Sequence, residues 1–310
     1  MPHRFICLAG ILLAFLLSSG CVDSGGSGTA QPYSIDESSR LHFNSGRGNV
    51  AFNETDFPEP DSLVLDIRVD GAGGKKVFFN GTGGVAAGLL WVPDGGPSKK
   101  PALVYLPGAL VAKEAGLGYA RLLAPQGIAV LSLDQPGVGE TGYKFNSPDE
   151  DFGAFQTGGL PSQYSYFHDA VLAYDYLAQR SDIDASRIMI AGESMGGRAA
   201  IIAAAVEPRF RGVLAVSTAG YGRPQVQDAN ATRFIRSMDP DNYLLALPPR
   251  RIAFIHSAND RVIPVADARR SFNLAGRPKS FSDVDCANHG YCREMDAVIV
   301  QRVLEILGGQ

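Results

Sequence analysis

Histidine and cysteine are scarce in this chain, with five of the first and four of the second among 310 residues. Concentrated charge is missing as well: no run of five like charges occurs, and the formal net charge is only −4. Recognition of nucleic acid normally needs a basic patch, so this chain is not expected to bind it. No repeat recurs at solenoid or propeller spacing. The apolar run Phe5–Leu17 falls short of the roughly 20 residues that a membrane-spanning helix takes. What is present is 45% hydrophobic and 19% charged sequence, the balance of a globular protein with ample material for a core.

The N-terminus reads as targeting sequence. Basic MPHR, the apolar run and the small residues LSSG predict a signal peptide over 1–20. LSSGC resembles a prokaryotic lipoprotein signal, which implies a lipid-modified Cys21 and membrane attachment, although Ser18 stands where such signals usually carry an aliphatic residue. Plain secretion and an uncleaved anchor are the alternatives. A Gly/Ser-rich tether is expected over 21–40, followed by a single domain over 41–310. With Cys7 in the signal, Cys286 and Cys292 remain, six positions apart and able to close a small disulfide loop in an oxidising compartment. Such a loop contributes roughly 2–3 kcal/mol at best. Sequons at Asn53, Asn80 and Asn230 carry no weight, being near chance frequency.

From Ser62 onward the pattern is β, then alternating. SLVLDIRVDG and VAAGLLWVPDG predict an antiparallel opening pair. PALVYLPG, GIAVLSLDQPG, RIMIAG, GVLAVS and RIAFIHS read as buried strands of a parallel sheet. Residues 113–125, YFHDAVLAYDYLAQR, SMGGRAAIIAAAV and MDAVIVQRVLEIL read as helices, and polar residues 143–163 as a surface loop. Strand and helix therefore alternate through 101–308, which predicts a mostly parallel sheet with helices on both faces. Ligands in such sheets bind beyond the carboxyl ends of the strands.

The residues with chemistry fall at those ends. Gly192-Glu193-Ser194-Met195-Gly196 is G-x-S-x-G between a strand and a helix, an arrangement that displays one hydroxyl over a helix N-terminus. The plain alternative is a capping serine in a glycine-rich turn. A serine nucleophile needs a base that is itself held in place. Of the few histidines, His3 lies in the signal, His42 precedes the sheet, His168 sits in an amphipathic helix and His256 ends a buried strand. His289, in a small-residue loop before the last helix, is the candidate base. Asp260, leaving the strand RIAFIHS, is the candidate third member; its rival role is a helix cap, with Asp239 and Asp241 as substitutes.

The order Ser194, Asp260, His289 is that of an α/β-hydrolase, and from Ser62 to the end the chain resembles that superfamily, nearest to its dienelactone-hydrolase and prolyl-oligopeptidase-like branches. The resemblance is carried by DIDASRIMIAGESMGG, DQPGVGETG and SANDRVIP. It implies the α/β-hydrolase fold, a Ser-His-Asp triad, an oxyanion hole and no cofactor. The donors to the oxyanion would be the N–H groups of Met195 and Ala109. The family often places His-Gly after its third strand, whereas this chain has Leu106-Pro107-Gly108-Ala109.

Cys286-x2-His289-x2-Cys292 also permits a zinc reading, but it supplies three ligands and no fourth, so no metal is expected. A disulfide bracketing His289 is the better reading. The expected activity is hydrolysis of carboxylic esters through an acyl-enzyme, with a small-molecule ester as partner and a short lid insertion at about 218–249, bearing Tyr221, Phe234, Met238, Tyr243 and Leu244. Two alternatives stay open: a serine peptidase or aminopeptidase of the prolyl-oligopeptidase-like type, and a surface-binding protein on an inactive hydrolase scaffold.

Overall fold

In a computed structural model of the chain, residues 33–43, 52–57, 66–222 and 226–308 are described. The expected signal peptide, Cys21 and most of the tether lie outside these residues. Among the described residues, no helix is long and apolar enough to cross a membrane.

Eleven strands form among the described residues. A two-stranded antiparallel sheet joins β1 (Tyr33–Ile35) to β2 (Leu41–Phe43). The other nine are β3 (Phe52–Asp56), β4 (Ala72–Asn80), β5 (Val85–Pro93), β6 (Lys100–Leu106), β7 (Ala129–Leu133), β8 (Ile183–Glu193), β9 (Gly212–Val216), β10 (Arg251–Ser257) and β11 (Lys279–Val284). They make one sheet in the order β11-β10-β9-β8-β6-β7-β5-β4-β3. The six strands from β11 to β7 run parallel; β5, β4 and β3 continue antiparallel. The helices are α1 (Gly116–Leu123), α2 (Pro148–Gln156), α3 (Ser162–Gln179), α4 (Met195–Val206), α5 (Ala229–Met238), α6 (Val265–Leu274) and α7 (Asp296–Gly308).

Alternate residues of the central strands feed two separate cores. Ala102, Val104 and Leu106 of β6, with Ile188 and Ile190 of β8, pack on α3 and α4. Leu103 and Tyr105, with Met189 and Ala191, pack on α1 and α7. Both faces are thus covered, which is why every residue of β6 is buried and why its sequence shows no polar alternation. Burying a Leu, Val or Ile side chain contributes about 1.5–3 kcal/mol, so these two cores hold the strand ends firmly in register.

Several expectations need correction. The antiparallel partner of β5 is β4, AGGKKVFFN, and not the SLVLDIRVDG segment. Of that segment, residues 62–65 lie outside the described part, and 66–70 hold only one bridge, Val69 to Ala72. Glycine and lysine in β4 mask a strand in which Val77 and Phe79 are buried. Residues 33–40, assigned to the tether, carry β1 and a turn, because Tyr33 and Leu41 are buried against Tyr164 and the Tyr243 hydroxyl. Segment 143–163 is no plain loop: Ser147 caps α2 in a reciprocal capping box with Glu150, with Pro148 at the first helical position. β11 was also not anticipated, since KSFSDV lacks the apolar run of its neighbours.

The 218–249 insertion contains α5 and two short 3-10 turns, 240–242 and 244–246. Its apolar residues mostly face inward: Phe234 rests on Phe152 and Phe155 of α2, while Tyr243 and Leu244 join the core beside α4. Of the five expected to form a lid, Tyr221 alone is exposed.

Candidate active site

Ser194 stands between β8 and α4 with φ 52° and ψ −115°, a conformation that side-chain-bearing residues rarely adopt. Such a backbone costs on the order of 1–3 kcal/mol and persists only where its surroundings enforce it. Here the Ser194 N–H donates to Val216 O (2.9 Å) and its carbonyl accepts from the Thr218 hydroxyl (2.7 Å). A β-carbon at Gly192 would lie 2.2 Å from Gly196 O, and one at Gly196 would lie 2.1 Å from Leu106 O. The two flanking glycines are therefore steric requirements of the turn.

The structure brings the three separated residues together. His289 Nδ1 lies 2.7 Å from Asp260 Oδ2, and His289 Nε2 lies 2.8 Å from Ser194 Oγ. A carboxylate only accepts, so the Nδ1 proton faces Asp260 and Nε2 is left to accept from the serine hydroxyl. Asp260 is itself fixed: its Oδ1 accepts from the N–H groups of Val262 and Ile263, both at 2.9 Å. It does not cap α6, whose N-cap is Pro264. Asp239 and Asp241 stay away from the imidazole. Asp239 accepts from Tyr221 N at 3.1 Å, and burial, followed by the nearby Asp241 charge, pushes its carboxyl up to about 6.

The loop that carries His289 is tied at several points. Cys286 and Cys292 form a disulfide across it, with Cα atoms 6.1 Å apart. Their sulfurs bond each other, and the His289 nitrogens face Asp260 and Ser194, so this trio is not arranged as a ligand set. Ser257 Oγ donates to Cys286 O (2.9 Å) and Ser217 Oγ to Gly290 O (3.1 Å).

Five residues at the site carry no role that sequence reasoning assigns. Glu193 accepts from the Tyr105 hydroxyl at 3.2 Å and from the Tyr291 N–H; burial pushes its carboxyl above the usual range despite those bonds. His256 donates through Nε2 to Ile263 O at 2.8 Å and lies 3.4 Å from Asp260 Oδ2; burial lowers its basicity. Lys113 and Asp134 form a buried ion pair at 2.9 Å. Gln135 reaches the loop that holds Ala109. Their signal is weak, because each bonds to backbone or to a residue distant in sequence. Met195 is the first residue of α4, so its N–H has no partner within the helix. Ala109 follows Gly108, where an added β-carbon would lie 3.7 Å from Ser194 Cβ.

A mostly parallel sheet flanked by helices, with a strained serine after a central strand, defines the α/β-hydrolase fold. A family model described as serine aminopeptidase, S33, matches residues 99–244, a span that includes Ser194 and ends before Asp260 and His289. The uncharacterized protein YfhR of Escherichia coli O157:H7 is 28% identical over 145 residues, which is 43% of this chain and 51% of that protein. The chain thus spans about half the length of the curated relatives it matches. Among solved structures, acetyl xylan esterase 1 from Thermoanaerobacterium sp. JW/SL YS485 is similar with a TM-score of 0.64 at 17% identity, over 83% of this chain and 88% of that one. A putative dienelactone hydrolase from Klebsiella pneumoniae gives 0.58 at 18% identity, over 77% and 99%. The chain thus has the α/β-hydrolase fold, and its residues 99–244 match a hydrolase family model.

Proposed function

We propose that this protein is an exported serine hydrolase of carboxylic esters. The observation that carries the reading is the unbroken hydrogen-bond chain from Asp260 through His289 to the Ser194 hydroxyl. Ser194 Oγ attacks the acyl carbonyl as its proton passes to His289 Nε2, and Asp260 holds the imidazole and stabilises the resulting imidazolium. The N–H groups of Met195 and Ala109 receive the oxyanion. His289 then returns the proton to the departing alcohol. Water attacks the acyl-enzyme by the same route, releasing the acid and restoring the serine.

Large apolar side chains exposed beside the site favour an apolar ester. Leu110 follows the oxyanion loop and is 87% exposed; Val262 follows Asp260 and is 68% exposed; Tyr291 lies two residues after His289. The similarity to acetyl xylan esterases also speaks for ester chemistry. Peptidase activity is the second reading, favoured by the serine-aminopeptidase description of the matching family model. Turnover of p-nitrophenyl esters of graded chain length, set beside aminoacyl p-nitroanilides, separates the two. Ester turnover that vanishes in Ser194→Ala is expected; turnover of the anilides alone would reverse the assignment.

Export and lipid attachment at Cys21 belong to the same proposal, resting on the N-terminal sequence and on a disulfide suited to an oxidising compartment. In the native host the full chain should partition with membranes, and Cys21→Ser should release it. Equal partitioning of both would remove the anchor.

A further inference from the structure

We propose that Gln135 is a positioning residue for the oxyanion site, acting through the backbone of the Pro107–Leu110 loop. The proposal rests on the serine-hydrolase reading and concerns how one of its two N–H donors is aimed. Gln135 lies just beyond β7, at the carboxyl end of the sheet, and is 1% exposed. Its Nε2 donates to Pro107 O at 2.8 Å, and its Oε1 accepts from Leu110 N at 3.1 Å. One side-chain amide thus grips both ends of a four-residue loop whose interior is Gly108 and Ala109. A carbonyl only accepts and an N–H only donates, so the amide is fixed in a single orientation.

The loop needs that grip. Leu110 has φ 62°, in the left-handed region that suits glycine and that a leucine does not hold unaided. A 3.2 Å bond from Val111 N to Gly108 O is its remaining internal tie. The preceding residue at the β7 end, Asp134, fixes the loop further on, accepting from Lys113 N at 2.8 Å and from Lys113 Nζ at 2.9 Å. The dipeptide Asp134-Gln135 therefore holds positions 107, 110 and 113 from one strand end. Ala109 N–H, inside this span, takes its direction from that grip. An oxyanion donor acts by pointing at the place where charge develops, so a loop that slackens loses transition-state stabilisation before it loses substrate binding.

Gln135→Met keeps the side-chain length and removes both hydrogen bonds. Activity is counted per serine reactive toward a fluorophosphonate at end point, so that unfolded protein does not enter. The expected result is a fall in kcat of about 10- to 100-fold, the range between slight misplacement and outright loss of a donor. KM should stay nearly constant. Affinity for a trifluoromethyl ketone, which adds to the serine and places an oxyanion in the hole, should fall by the same factor as kcat/KM. Gln135→Asn, with the amide one methylene too short to span the loop, should shift the same quantities the same way, and it serves if the Met variant does not fold. Full kcat per titrated serine would overturn the proposal. So would a rise in KM alone, or a fall in kcat that leaves inhibitor affinity untouched. A native protein that never reacts with the fluorophosphonate would instead sink the hydrolase reading, and this one with it.

Discussion

The imidazole side and the oxyanion side of the site are secured in different ways. His289 sits in a loop bound by a disulfide, by the hydroxyls of Ser217 just beyond β9 and Ser257 at the end of β10, and by the Glu193 carboxyl. Its partner Asp260 is held by two backbone N–H groups. The Ala109 loop has no covalent brace and depends on one buried amide, with an ion pair three residues further on. A redundant scaffold loses little when one tie is cut, whereas a singly held loop loses its aim. The ties on the imidazole side should therefore be dispensable one at a time, and Gln135 should not.

The groups held by those scaffolds are another matter. Asp260→Asn should give the largest effect among variants that spare both the nucleophile and the base. A carboxamide can present its own N–H to the ring and favour the wrong tautomer, so kcat should drop by about 10³–10⁴. A drop of only a few-fold would mean that some other group orients His289, and His256 would be the first to examine. Next comes the 10- to 100-fold loss described for Gln135→Met. The smallest effect is expected for Cys286→Ser with Cys292→Ser. Chain entropy assigns a seven-residue loop about 2 kcal/mol, which lowers the melting temperature by several degrees. Turnover at room temperature should scarcely change, because the hydroxyl and carboxylate ties remain, and chelators should do nothing. If the double serine variant loses as much kcat as Gln135→Met, the proposed asymmetry between the two sides is wrong.

Much of the fold and the three separated residues could be read from the sequence, for a physical reason. The central strands are buried on both faces, so they appear as apolar runs, and the nucleophile and acid candidates follow such runs directly, while the base stands out because histidines are few. Strands away from the centre of the sheet leave no such trace: β4, next to the edge, contains Gly73, Gly74, Lys75 and Lys76, and the edge strand β11 keeps its residues partly exposed. The capping box of α2 was legible as Ser147-x-x-Glu150 but is easily passed over in polar sequence. Gln135 could not be read at all. Its contribution is a pair of hydrogen bonds to the backbone of residues 107 and 110, and backbone partners carry no residue code.

The central claim is that the Ser194 hydroxyl is made nucleophilic by His289. Reaction with a fluorophosphonate, followed by mass spectrometry of the peptide containing residue 194, tests it most directly. The account predicts one phosphonyl adduct on Ser194 in the native protein, none in Ser194→Ala, and labelling slowed by orders of magnitude in His289→Ala. A native protein that stays unlabelled, or labelling that proceeds at the same rate without His289, would contradict it.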